Sequence, residues 1–161
     1  MQESTHSTPA TGPSAELDRL WDTAIGGDLA FLVARANAIS LLNTNAALAE
    51  HGLKVRSYSV LALAAAGTRP TQRELSTFLK LDPSQVVLLI DQLETRKLVR
   101  REVNPGDRRA NVVVATDAGH ALYEQARNAT QVAERSAFAA LTPNDLTALS
   151  ALVRKVAGSV D

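Results

Sequence analysis

The chain has 161 residues, 45% of them hydrophobic and 21% charged, which suits one globular domain with a real core and excludes a disordered or fibrous chain. Seventeen basic residues balance seventeen acidic ones, so a uniformly basic nucleic-acid coat is excluded. With no cysteine, and with His6, His51 and His120 far apart in the chain, disulfides and thiol redox chemistry are excluded, and neither a metal centre nor a cofactor is expected.

Residues 1–14 are rich in Ser, Thr, Pro and Gly and are expected to be disordered. Ala15 to Thr23 patterns as a short helix with Leu17, Leu20 and Trp21 on one side, and Trp21 reads as a packing anchor for this arm rather than a ligand-stacking ring. Gly26-Gly27 breaks the pattern. Asp28 to His51 is the longest helix candidate, with Asp28 as cap and Gly52 just past its end. Leu29, Leu32, Ala36, Ile39 and Leu42 form one apolar stripe, and Phe31, Ala34, Ala38 and Leu41 a second. A helix apolar on two faces is buried on two sides, and a partner subunit can supply one of them. Arg35, Asn37, Asn43 and Asn45 interrupt the stripes. Helix surface is the plain reading for most of them, with Arg35 and Asn43 kept as candidates for a polar spot in a ligand cavity.

Leu53 to Ala66 forms the next helix, ended by Gly67. Tyr58, Leu61 and Ala65 face one way. Arg56 and Ser57 lie near its start, where helix N–H groups can hold a phosphate. Tyr58 is a candidate ligand hydroxyl, against the plainer reading of a core tyrosine.

Two short helices with start signals follow. Thr71 and Glu74 make a capping box, in which each side chain satisfies the other's backbone N–H. Asp82-Pro83 supplies a cap and a proline at the first helical position. The linker, Lys80 to Asp82, is of helix-turn-helix length. Along the second helix, Pro83 to about Lys97, Val86, Leu89, Ile90 and Leu93 take core spacing. Ser84, Gln85, Val87, Leu88 and Gln92 are left outside. Ser84 and Gln85 lie in the first turn, the part of a recognition helix that meets base edges. Gln can bond adenine in a bidentate way, and Val87 or Leu88 can touch thymine methyls. An ordinary surface helix with exposed aliphatics explains the same residues. Gln72 and Arg73 open the preceding helix as candidate phosphate contacts, which set position rather than sequence preference.

A basic hairpin follows. Leu98–Val103 and Ala110–Ala115 read as strands around a tip at 104–109. From Arg96 to Arg109 there are six Lys/Arg and two Asp/Glu, a net +4. Arg108 and Arg109 at a projecting tip suit a minor groove, where the potential is most negative, with Asp107 expected to orient a neighbouring arginine. Thr116 caps a long helix, Asp117 to about Leu141, with Leu122, Ala126, Ala129, Ala133 and Ala140 in one stripe. Thr142-Pro143-Asn144-Asp145 starts the last helix, whose stripe is Leu146, Leu149, Leu152, Val153 and Val156. Residues 69–109 carry nine basic and six acidic residues, a net +3, and the rest of the chain a net −3. That is a basic patch on a neutral body, and its affinity for a polyanion should fall with salt.

The run T-Q-R-E-L…L-D-P-S-Q-V-V-x-L-I-D-x-L-E-x-R-x-L-V-R-R…N-P-G-D-R-R…V-x-x-T-x-x-G resembles the MarR family of winged helix-turn-helix transcription regulators. The order and type of elements match from about Ala30 to Val156, and the specific motifs lie between Thr71 and Gly119. The fold class expected is mainly α with a small β-hairpin wing, a winged helix-turn-helix with a helical dimerisation region. The resemblance implies an N-terminal arm and dimerisation helix at 15–52, a DNA-binding lobe at 53–116 and C-terminal dimerisation helices at 117–161. It implies a homodimer of repressor type on a pseudo-palindromic operator in double-stranded DNA, released by a small aromatic or phenolic acid-like effector. Arg109 is the stronger wing contact by its place in the family pattern. The lack of cysteine excludes the family's thiol-based peroxide sensors. Leu88 and Pro83 stand where the family often carries a basic or polar residue, so a more apolar major-groove readout is expected.

Ser84, Gln85, Val87, Leu88, Arg108, Arg109, Gln72, Arg73 and Ser57 are therefore the expected DNA contacts, and Arg35, Asn43 and Tyr58 the candidate ligand residues. A winged-helix protein–protein module without a DNA target is the alternative, and the basic wing weighs against it. An enzyme is not expected, since no phosphate loop, nucleophile elbow or close His/Asp/Ser set is present. Asp91 and Glu94 look structural, and Asp91 is expected to pair with a nearby base. No apolar run reaches membrane-spanning length and no basic-then-apolar leader is seen, so a cytoplasmic protein with no membrane partner is expected.

Overall fold

The computed structural model describes residues 13–104 and 106–159, and the side chains of 13–16 and of Arg108 lie outside what is described. Of the tail expected to be disordered, residues 1–12 are outside the described residues, while Pro13 already opens helix α1, Pro13–Trp21. A short 3₁₀ turn at Ala24–Gly27 takes up the Gly-Gly break. Helices α2 (Leu29–Ala49), α3 (Val55–Ala65), α4 (Gln72–Leu79) and α5 (Pro83–Thr95) follow, then strands β1 (Val99–Asn104) and β2 (Asp107–Ala115), then α6 (Asp117–Ala137) and α7 (Pro143–Ala157). The chain divides within α2 into two compact units, one up to Ile39 and one from Ser40.

In the first unit, Asp28 caps α2 as expected, its Oδ1 accepting from Ala30 N at 2.8 Å and Phe31 N at 3.2 Å. Trp21 meets Phe31 edge to face with ring centroids 6.4 Å apart. The second unit holds the core. Leu48, Leu53, Val60, Leu61, Leu75, Val86, Ile90, Leu93, Val99 and Val113 are buried together. They come from α2, α3, α4, α5 and the hairpin, so one apolar centre sets the angle at which α4, α5 and the strands meet.

Each start signal forms its cap. Thr71 Oγ1 accepts from Glu74 N, and Glu74 Oε2 accepts from Thr71 N at 2.7 Å. Thr142 and Asp145 do the same for α7. α3 is started differently: Asn45 Oδ1, reaching from α2, accepts from Val55 N at 3.0 Å. That gives Asn45 a structural job within the stripe it interrupts.

The helix ends share one device. After α2, Gly52 has φ +61°, and Leu53 N bonds Leu48 O at 3.1 Å. After α4, Lys80 is left-handed at φ 51°, and Leu81 N bonds Ser76 O. After α5, Lys97 has φ +58°, and Leu98 N bonds Leu93 O at 2.9 Å. These 6→1 bonds satisfy carbonyls that the helix leaves orphaned, and glycine is the residue that enters this conformation without a Cβ penalty. A Lys97→Gly variant should therefore be more stable by about 0.5–1 kcal/mol, a rise of roughly 2–3 °C in Tm. Thermal unfolding by circular dichroism reads it, and an unchanged or lower Tm would show that the lysine side chain contributes more than the strain removes.

β1 and β2 pair antiparallel from Val99↔Ala115 to Asn104↔Asp107, with an irregularity at Val103/Asn104. The strand thus runs further than expected. Asp107, Arg108 and Arg109 belong to β2, not to a six-residue tip. Thr71 also bridges Val112, and Val113 N bonds Pro70 O at 2.8 Å, so the segment before α4 adds a third edge to the hairpin. α6 stops at Ala137, short of the expected Leu141, so Ala140 lies past its helix.

Among the described residues, no helix is long and apolar enough to cross a membrane, and no three His, Asp or Glu side chains are placed to hold a metal ion.

Candidate nucleic-acid interface

The cap of α5 fixes its first turn. Asp82 Oδ1 accepts from Ser84 N at 2.8 Å and also takes the Ser84 hydroxyl proton. Those bonds, the side-chain one first, hold the Asp82 carboxyl below its ordinary pKa. The Ser84 hydroxyl is therefore spent as a donor, and its oxygen is left as an acceptor. Val86, Ile90 and Leu93 point into the core, with Leu89 half-buried. Ser84, Gln85, Val87, Leu88 and Gln92 are exposed along the other face, with Leu88 57% accessible. The split between inner and outer faces is the one the spacing predicts.

The wing is tied to this helix by charge. Arg101, on β1, donates to Glu94 Oε2 through one guanidinium nitrogen and to Asp91 Oδ1 through another, and its backbone N bonds Glu94 Oε1 at 3.1 Å. Burial works to lower the Arg101 pKa, but the two carboxylates outweigh it and the net direction is upward. Asp91 thus has the basic partner expected of it. On the other side of β1, Glu102 accepts from Arg69 at 2.6 Å and from Arg100 at 2.7 Å. Those bonds, from Arg100 first, lower the Glu102 pKa. The strand is held to α5 on one side and to the residues before α4 on the other. Sequence reasoning missed the Arg69–Glu102 and Arg101–Glu94 contacts. The only local trace was the i, i+3 spacing of Asp91 and Glu94, which puts two carboxylates on one helix face.

At the tip, Asn104 Oδ1 accepts from Gly106 N at 2.9 Å and Asp107 Oδ1 from Arg109 N at 3.0 Å. Asp107 was expected to orient an arginine side chain. It fixes the Arg109 backbone, because the Asx geometry places its oxygen over an N–H two residues on; a bond to the Arg108 side chain lies outside the described residues. Arg109 is exposed; the side chain of Arg108 is outside the described residues.

Of the other expected contacts, Arg73 is exposed and Gln72 half-buried at the start of α4. Ser57 Oγ donates to Lys54 O and accepts from Lys54 N, both at 2.9 Å, so it closes the first turn of α3. A cavity of about 590 Å³ runs from Asn45 and the first turn of α3 (Lys54, Arg56, Ser57) to Leu89 and Gln92 of α5. Next to it, Arg96 donates to Gly52 O at 2.7 Å and His51 O at 2.9 Å, locking the end of α5 to the end of α2.

The candidate ligand residues divide between the two units, Arg35 in the first and Asn43 and Tyr58 in the second. Tyr58 stacks on Tyr123 at 6.0 Å, with its hydroxyl 3.5 Å from Thr130 Oγ1. Asn43 is half-buried on α2. Arg35 lies in the first unit, its guanidinium carbon 5.2 Å from the Trp21 ring centroid.

Comparison with known proteins places this arrangement. The model described as MarR family matches residues 51–110. The crystal structure of a transcriptional regulator (MarR family) from Rhodococcus sp. RHA1 is 34% identical, with a TM-score of 0.81 over 86% of this chain and 99% of that one. CouR from Rhodococcus jostii RHA1, solved bound to p-coumaroyl-CoA, is also 34% identical, with a TM-score of 0.79 over 87% and 99%. Wild-type MarR from E. coli, in its apo form, is 25% identical, with a TM-score of 0.71 over 80% and 96%. No curated protein matches the chain.

Proposed function

The chain belongs to the MarR family of transcriptional regulators, and from that membership we propose that it is a homodimeric, sequence-specific DNA-binding repressor whose grip is changed by a phenolic acid or its thioester. One observation carries the DNA-binding part. An exposed strip of Ser84, Gln85, Val87 and Leu88 lies on a helix whose inner face is core, and a charge-clamped strand joins that helix to a wing bearing Arg109.

In this reading α5 enters the major groove. Ser84 accepts from an adenine or cytosine amino group, Gln85 bonds adenine, and Val87 and Leu88 meet thymine methyls. Arg108 and Arg109 enter the flanking minor groove. Gln72, Arg73 and the first turn of α3 with Ser57 meet phosphates. Two such lobes read half-sites about 34 Å apart.

The dimer reading is supported by apolar faces that this chain alone leaves open. Leu29 is 75% and Leu42 72% exposed on α2, and Val156 71% exposed on α7. Residues 15–52 and 117–161 would supply the interface, burying the second face of α2. The effector class is supported by the p-coumaroyl-CoA of CouR. Such a ligand would act by favouring a dimer whose recognition helices are wrongly spaced.

The test is fluorescence anisotropy with the protein's own upstream DNA against scrambled DNA, across a salt series. Tight binding to the first, falling steeply with salt, is expected. Adding p-coumarate or p-coumaroyl-CoA should then release the DNA. Equal, weak binding to both DNAs would count against this operator and favour a protein partner for the wing.

A further inference from the structure

The start of α5 carries a pair of hydrogen-bond acceptors whose polarity is fixed by the fold. Asp82, the cap, and Ser84, in the first turn, are both exposed. Ser84 N and the Ser84 hydroxyl donate to the same oxygen, Asp82 Oδ1. The hydroxyl bond first, then the backbone one, hold the Asp82 carboxyl below its ordinary pKa, so it is ionised at neutral pH. A carboxylate has no proton to give, so the Ser84 hydroxyl must aim its own at Asp82. Turning that hydroxyl outward would break a charge-assisted bond, which is stronger than the neutral bond it could make to a base oxygen.

We propose that Asp82 is a specificity-determining residue of the DNA-reading face, and that with Ser84 it selects a cytosine amino group in the major groove. The inference rests on the DNA-binding role proposed above and narrows it to one base. In the major groove guanine shows two acceptors, N7 and O6, and thymine shows O4. Two acceptors side by side on the protein find no hydrogen there. Adenine shows its amino group beside the N7 acceptor, so part of the protein pair is opposed. Cytosine shows its N4 amino group alone, the group that carboxylates accept from. A carboxylate so near DNA phosphates is tolerated here because it sits at the positive end of the α5 dipole. A role as helix cap alone explains the bond from Ser84 N and gives no base a preference.

The test is selection of bound duplexes from a random DNA pool by the full-length protein. Kd is then measured for all four base pairs at each position of the enriched site. One position in each half-site should favour cytosine about tenfold over guanine and thymine. N4-methylcytosine at that position keeps the pairing hydrogen and blocks the one that faces the groove, and it should cost a similar factor. Asp82→Gly keeps a tolerated helix cap and frees the Ser84 hydroxyl to donate. It should bring both ratios within about twofold at that position and leave the preferences elsewhere standing. An undiminished cytosine preference in Asp82→Gly would overturn the proposal. An even loss at every position would do the same, since it marks Asp82 as a cap alone. So would N4-methylcytosine binding as well as cytosine, a result that needs no variant to fold. Any of these three leaves a sequence-specific regulator in place. A pool that enriches no sequence removes sequence-specific binding itself, and this inference with it.

Discussion

Gly119→Ala should lower the melting temperature by roughly 6–20 °C, although alanine is the better helix former. Gly119 lies in the first turn of α6, and a Cβ there would sit 1.9 Å from the Leu98 carbonyl oxygen and 2.9 Å from its carbon. The obstacle is backbone, so no rotamer change relieves it. The neighbouring bonds hold the same joint closed. Thr116 N donates to Leu98 O at 3.0 Å, Thr116 Oγ1 donates to Lys97 O at 2.7 Å, and Gly119 N donates back to Thr116 Oγ1 at 3.1 Å. Moving α6 away to admit a methyl loosens all three. Overpacking costs roughly 1–3 kcal/mol and a lost cap about 1 kcal/mol more, with each further hydrogen bond of order 1 kcal/mol. The helix-propensity gain offsets at most about 1 kcal/mol. A net loss of about 3–5 kcal/mol is a large part of a typical 5–15 kcal/mol stability, and at roughly 2–4 °C per kcal/mol gives the stated drop. Gly27→Ala is the control, since nothing lies within 4 Å of its added Cβ. A Gly119→Ala melt within about 2 °C of the parent would mean that the joint has slack.

That joint also shows what a sequence can and cannot say. The pattern V-x-x-T-x-x-G was legible as a helix start, because a threonine accepting an N–H three residues on is a local event. Why the third residue must lack a side chain was not legible, because the atom that excludes it belongs to Leu98, reached only through the hairpin. The same division runs through the lobe. Caps at Thr71, Asp82 and Thr142 and the inner face of α5 depend on residues within one or two turns, and they form where the spacing puts them. Arg96 bonding His51 O, Arg69 bonding Glu102 and Pro70 pairing with Val113 join residues more than thirty positions apart. No periodicity encodes such pairs. The strand limits at the tip fell between the two cases: Asn, Pro, Gly and Asp mark a turn, but pairing between Asn104 and Asp107 shortened it. The exposed faces of α2 and α7 stay unassigned by one chain, since apolar periodicity says that a face is buried and not by what.

On the proposed reading, replacing Arg108 and Arg109 together by alanine should abolish tight operator binding while leaving the fold and the proposed dimer intact. The arrangement around the tip is the reason. β1 is held to α5 through Arg101 and to the segment before α4 through Glu102, so the base of the wing is tied on both sides. Asp107 then fixes the Arg109 backbone at the start of β2. A cation whose backbone is already tied gives up less conformational freedom on entering a minor groove, so more of its electrostatic gain survives as affinity. At about 1–1.5 kcal/mol per arginine and four arginines in a dimer, the loss is roughly 4–6 kcal/mol, a thousandfold or more in Kd. The salt dependence must change with it, because each phosphate-region cation removed takes about 0.9 from the slope of log K against log salt. A slope lower by two to four units, with an unchanged melting curve and sedimentation coefficient, is the expected result. Lost affinity at an unchanged slope would point instead to distortion of α5. Unchanged affinity and slope would take the wing out of DNA binding and leave the face of α5 as the part that holds the operator.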